Sequence, residues 1–326
     1  MKKFHAYPIV VALTLLAFSC ATSIPVTLMK PSDIDTTGIK KIAVLPFGFA
    51  GESTTADPLE AAFNRYSSAY RWRTRLEQQV SSMLTDGVTD ALMKSGAFSI
   101  VGASEVSRYV TSGQNPAAVV DGYVIGEVSF LAPDSRSGYE DVKGSDGIVR
   151  STYVVHKTMT LEYSVKVFRA SDGVLMGHTR QSGKTEAVAY GDNAHTTVTS
   201  DYDMAKTIIN STFYAVAKSI APYQVTEYRT LATDETKNEL MKQADELVEK
   251  KMYAEALKIY RNVYAADKNF AAAFNAAILV EISGDMPGAI REMEALAQET
   301  QDSRAVNELA RMKQTLADEE RLRAGK

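Results

Sequence analysis

The residues of this 326-residue chain with any claim to chemistry are few. Beyond the first twenty residues the histidines are His156, His178 and His195. None stands at metal-ligand spacing or beside a nucleophile signature. Gly183-Lys184-Thr185 has the tail of a phosphate loop, but the first glycine of such a loop would fall on His178. The residues after the triplet alternate like a strand and do not open a helix whose N-terminus could hold phosphate. The acids fall mostly on helix surfaces, where solvation accounts for them. No catalytic residues, metal ligands or cofactor fingerprint emerge, so the chain reads as a non-enzyme. That leaves Cys20, the only cysteine. It follows Lys2 and Lys3, an apolar run from Ile9 to Phe18, and Ala17-Phe18-Ser19. A run this short is a secretory signal and not a membrane span, which takes about 20 residues.

The cysteine at the cleavage point resembles the lipobox of bacterial lipoproteins. The resemblance implies that Cys20 is acylated, that residues 1–19 are removed, and that Cys20 becomes the mature N-terminus. No free thiol would then remain, which excludes disulfides, cysteine-ligated zinc and a cysteine nucleophile. No later stretch is long and apolar enough for a membrane helix, so the acyl chains would supply the membrane attachment. Ala21, where the usual sorting pattern places Asp for retention, points to the outer membrane, with the protein facing the periplasm. Either leaflet remains open. The competing readings are an ordinary cleaved signal with a chance cysteine, and an uncleaved anchor.

Lys and Arg total 36 against 40 Asp and Glu, with no long basic block, so nucleic acid is not an expected partner. One surface stands out: Arg65, Tyr66, Tyr70, Arg71, Trp72, Arg73 and Arg75 interleave aromatics with arginines. Tyr66, Tyr70, Arg71, Trp72 and Arg73 are the candidate partner-binding residues. The partner would be a protein, an anionic glycan or lipid head groups. The alternative is that Phe63, Tyr66 and Tyr70 pack on the domain while the arginines stay wet.

The elements that must position these residues are set by periodicity. Ile42 to Phe47 is an apolar run of strand length. Asp57-Pro58-Leu59-Glu60 has a helix-start pattern. A longer helix covers about 72–95, with Leu76, Val80, Leu84, Val88 and Leu92 at helical spacing and Gly96 as its cap. Phe98 to Val101 reads as a strand, Ser104 to Val110 as a helix, and Gly122 to Leu131 as a strand. Met159 to Phe168 alternates with a period of two, Ser171-Asp172-Gly173 turns the chain, and the return strand reaches Tyr190. Met204 to Ile220 is helical. The fold class is α+β, a small mixed sheet with helices packed on one face.

From about Asp234 the residues are helix formers. Ala244, Tyr253, Ala256, Tyr260 and Val263 recur 33 residues later as Ala277, Met286, Ala289, Met293 and Leu296. This spacing resembles the tetratricopeptide repeat; a plain pair of helical hairpins is the alternative. Two repeats fall short of the ~3 needed for independent stability, so the array is expected to lean on the front domain or on a partner. The resulting boundaries are a signal peptide at 1–19, a lipid-anchored tether at 20–39, an α+β domain at 40–222, a linker at 223–236, and helical repeats with a capping helix at 237–326.

The front domain resembles the family of the curli-secretion lipoprotein CsgG and the penicillin-binding-protein activator LpoB over about 38–221. The resemblance rests on the Ile42–Phe47 strand, the helix with Ala91-Leu92 and Ser95-Gly96-Ala97-Phe98, the run Val119 to Val128, and the hairpin Val165 to Leu175. It implies either an envelope protein that scaffolds or activates an assembly through protein contacts, or a subunit of a homo-oligomeric export channel. A channel would insert residues of about 131–152 and 183–203 into the membrane. Both stretches are polar and turn-rich, without the lipid-facing alternation of a membrane strand, which favours the first role.

Overall fold

A computed structural model describes residues 22–50, 59, 60, 62 and 74–325. The described residues form two compact units, one from 29–225 with 318–325 and the other from 22–28 with 226–317.

In the first unit, strands β2 (Lys41–Val44), β3 (Gly48–Phe49), β4 (Ser99–Val101), β5 (Gly122–Lys143), β6 (Val149–Arg169) and β7 (Leu175–Tyr190) make one sheet. Its order is β4-β2-β5-β6-β7, with β3 also on β5. β2 runs parallel to both of its neighbours, whereas β5, β6 and β7 form an antiparallel meander. Helices α1 (Arg75–Ser95) and α4 (Asp201–Ile220) cover one face. Val80, Leu84, Val88 and Leu92 of α1 pack with Met204, Ile208 and Val216 of α4 over Ile42, Val44, Leu161, Tyr163 and Val165. Burying each large aliphatic side chain contributes about 1.5–3 kcal/mol. α1 begins with a capping box, in which the Thr74 hydroxyl accepts from the Glu77 N–H and the Glu77 carboxylate accepts from the Thr74 N–H. It ends at Gly96, whose φ of 66° suits a residue without a Cβ.

The helices are not confined to one face. α2 (Ala103–Thr111) places Val106 on the opposite side with Ala43, Leu45, Tyr123, Ile125 and Phe168. The run Ile42-Ala43-Val44-Leu45 is apolar at every position because β2, a parallel strand, is buried on both faces.

From residue 22 onward, the stretch expected as a tether at 20–39 carries structure. Ser23–Lys30 is β1, paired with β8 (Tyr223–Thr230) in a two-stranded ribbon, and Ile34 and Ile39 are buried. Ile24, Val26 and Leu28 alternate, but the intervening Pro25 and Thr27 made the stretch read as polar. The expected linker at 223–236 likewise holds β8 and the buried Leu231; the charges of Glu227 and Arg229 disguise a strand.

The second unit is built on α5 (Glu239–Glu249), α6 (Tyr253–Asp267), α7 (Phe270–Ile282), α8 (Met286–Thr300) and most of α9 (Ser303–Ala324). The 33-residue period is visible in the backbone. Lys251 and Gly284 both have positive φ at the first turn of each pair, and Lys268 and Gln301 both do so at the second. Ala244, Ala256, Tyr260, Val263, Ala277, Met286, Ala289, Met293 and Leu296 are all buried, with Tyr253 packed beside them.

Candidate interaction surfaces

β5 and β6 run far past the helices. Their register continues from Gly122↔Arg169 to Lys143↔Val149, with one bulge between Val128 and Phe130. β7 leaves β6 at Val154↔Tyr190, so Tyr139–Lys143 and Val149–Tyr153 form a free two-stranded arm of roughly 17 Å. The expected insert at 131–152 is therefore one regular hairpin, closed by the turn at 144–148. The insert at 183–203 is the end of β7, the short helix α3 (Ala194–Thr197) and the start of α4.

An isolated hairpin is marginal in water, and this one is fastened at both ends. At its root the Tyr153 hydroxyl lies 2.9 Å from Ser137 Oγ, to which it donates, and 2.8 Å from His195 Nε2. The rings of Tyr139 and Tyr153 meet edge to face at 5.3 Å. Beneath them Val155, Ala189, Ala194 and Val198 make a small core that seats α3. On the opposite face His156 Nε2 lies 2.9 Å from the Glu140 carboxylate. At the tip Arg150 donates to both oxygens of Asp146, at 3.2 and 2.6 Å, and Asp146 accepts from the Ile148 N–H. Those bonds hold the Asp146 carboxyl below its ordinary range, the Arg150 side chain being the largest cause. The arm presents Tyr139 at its root and Ile148 and Val149 at its tip, at 74%, 55% and 57% exposure. Between Pro133 and Lys143 neither face of β5 is continuously apolar.

In the helical unit, α7 carries polar side chains inside an almost wholly buried helix. Asn275 is fully buried; its Oδ1 accepts from the Ala232 N–H at 2.7 Å and its Nδ2 donates to the Ala232 carbonyl at 3.0 Å. Glu281 accepts from Arg229 Nε at 2.9 Å and from both Nη atoms of Arg311. Arg229 and Glu281 are nearly sealed from solvent, and Arg229 Nη2 is buried without a partner. Thus α7 grips an extended piece of its own chain, Arg229–Ala232, by backbone hydrogen bonds and a buried ion pair. Sequence reasoning missed this grip; its signal was Asn275 and Glu281 within the otherwise apolar Phe270–Ile282.

In the sheet unit, a cavity of about 650 Å³ is lined by residues that include Met29, Asp35, Ile39, Lys40, Phe98 and Arg321. Among the described residues no group of three or more His, Cys, Asp or Glu converges as a metal site. No helix among them is long and apolar enough to cross a membrane. His178 and His195 are separated by the length of β7, and Gly183-Lys184-Thr185 lies within that strand. Cys20 and the candidate partner-binding residues Tyr66, Tyr70, Arg71, Trp72 and Arg73 lie outside the described residues.

No family model matches the chain, and no curated protein matches it in sequence. Solved structures do align with it. The PelC dodecamer from Paraburkholderia phytofirmans is 12% identical over 61% of this chain and 99% of its own, with a TM-score of 0.23. Lipoprotein GNA1162 from Neisseria meningitidis is 11% identical over 55% of this chain and 98% of its own, at 0.24. Protein XCC0632 from Xanthomonas campestris is 13% identical over 60% and 91%, at 0.29.

Proposed function

We propose that this chain is a lipid-anchored envelope protein that works by contact and not by chemistry of its own, holding partner proteins near the membrane. In this reading Cys20 supplies the anchor, the sheet unit is a CsgG/LpoB-like domain, and the helical unit is a short tetratricopeptide-like array. The arm Tyr139–Tyr153 carries the proposal. It is a hairpin fixed at root and tip by side-chain bonds, with an exposed tyrosine at its root and two exposed aliphatics, Ile148 and Val149, at its tip. Rigid presentation lowers the ordering cost of binding, which is the use such an arm would have. The helical unit offers less, because the α7 face bearing Asn275 already holds Ala232.

A second reading, a subunit of a CsgG-like export channel, has the full length of β5 and β6 in its favour, 22 and 21 residues, since a membrane strand needs about 9–11; the free arm alone is too short. The polar composition of both faces counts against it.

A photo-cross-linking residue at position 148 in the lipidated, full-length protein tests the first reading. Adducts to a discrete envelope protein, abolished by Val149→Asp, support it. Adducts to lipid alone would favour the channel.

A further inference from the structure

We propose that β7 is the interface through which two copies of this chain pair, edge to edge and antiparallel, about a two-fold axis at Gly183. The sheet ends in two very different edges. β4 has 3 residues, whereas β7 has 16, roughly 50 Å. Among the described residues no strand pairs with the outer side of β7. A long strand edge is a template for another strand unless it is blunted by proline, bulges, brevity or charges left without a partner. From Gly177 to Tyr190 there is neither proline nor a register shift.

The side chains say which strand fits. Along β7 the odd positions turn toward α4, where Gly183 lies so close to Ile208 that a Cβ would come within 2.4 Å of it. The even positions His178, Arg180, Ser182, Lys184, Glu186 and Val188 are all exposed. Pairing centred on Gly183 sets Arg180 opposite Glu186 of the second copy, Ser182 opposite its Lys184, and His178 opposite its Val188. Two-fold symmetry makes each of these pairs twice. Arg180 has no carboxylate partner among the described residues, whereas Glu186 accepts from Lys184 at 2.8 Å and keeps an exposed carboxylate. The register thus gives Arg180 its missing partner without breaking the Lys184–Glu186 bond, and directly opposed unlike charges favour it. A register centred on Thr185 would instead leave Arg180 facing Tyr190.

The test is the mass of the full-length, lipidated protein in detergent by light scattering, with the detergent contribution subtracted. The expected mass is two chains. Arg180→Glu and Glu186→Arg should each halve it, and the double reversal should restore it. Both positions are exposed, and circular dichroism checks that each variant is folded. Ser182→Cys with Lys184→Cys should cross-link two chains on oxidation, while Lys184→Cys with Glu186→Cys should not. A monomeric wild type, a closed ring of many chains, a dimer indifferent to either reversal, or cross-linking only by the second cysteine pair would each overturn the proposal.

Discussion

Tyr153 and His195 meet at 2.8 Å, and through that contact the short helix α3 is tied to the root of the β5–β6 arm. The hydroxyl reaches both His195 and Ser137, so one side chain fastens two strands and a helix. Tyr153→Phe keeps the ring contacts and removes both bonds. Because the site is exposed, the global cost should be about 1 kcal/mol or less. Amide exchange of residues 139–153 should nonetheless accelerate several-fold while α1 and α4 are unchanged. An arm that exchanges as slowly as in the wild type would show that Tyr153 does not fasten it.

Asn275→Ala leaves the N–H and the carbonyl of Ala232 without their partner next to a fully buried position. The expected loss is about 2–4 kcal/mol, measured by denaturant unfolding of the full chain. Protection should be lost first around residues 229–233.

Gly87 faces Phe213 where α1 crosses α4, and a Cβ there would lie 1.8 Å from the ring. In an open helix Gly→Ala stabilises by about 1 kcal/mol. Here Gly87→Ala should destabilise by about 1–3 kcal/mol, because half-buried Phe213 must be displaced from its packing against the core. A higher melting temperature for this variant would show that the two helices adjust freely.

Asp245 accepts from the Tyr260 hydroxyl at 2.5 Å in a half-buried setting. Burial pushes its carboxyl above the ordinary range, and the negative charges of Asp234 and Glu249 add to the shift. The folded state thus holds this proton more tightly than the unfolded chain. The contribution to stability is present at low pH and is lost as pH rises through the folded value. Asp245→Asn keeps an acceptor for Tyr260 without the charge. It should be at least as stable as the wild type at pH 7, with the difference vanishing below the ordinary carboxylate range. Paired unfolding curves at pH 7 and at about pH 3, below the ordinary aspartate value, read this directly.

Much of the framework was legible in the sequence because period alone specifies it: Val80 to Leu92 for α1, Met159 to Val167 for β6, and the 33-residue recurrence from Ala244 to Leu296. β1 and β8 were obscured because Pro25, Thr27, Glu227 and Arg229 interrupt or charge the alternation, and a two-stranded ribbon takes its stability from pairing that no local window contains. The arm was hidden for a related reason. Its residues are polar on both faces, so nothing in Asp134 to Lys143 marks a strand until β6 lies beside it. The grip on Ala232 joins residues 43 positions apart, and only folding brings them together.

On the proposed reading, the mature chain is held at a membrane through Cys20. Intact-mass analysis of the protein extracted from membranes tests it directly. The expected result is a chain beginning at Cys20 and carrying acyl chains, with Cys20→Ser abolishing both the added mass and the membrane recovery. A mature chain with an unmodified Cys20, or one cleaved elsewhere and recovered free of the membrane, would contradict it.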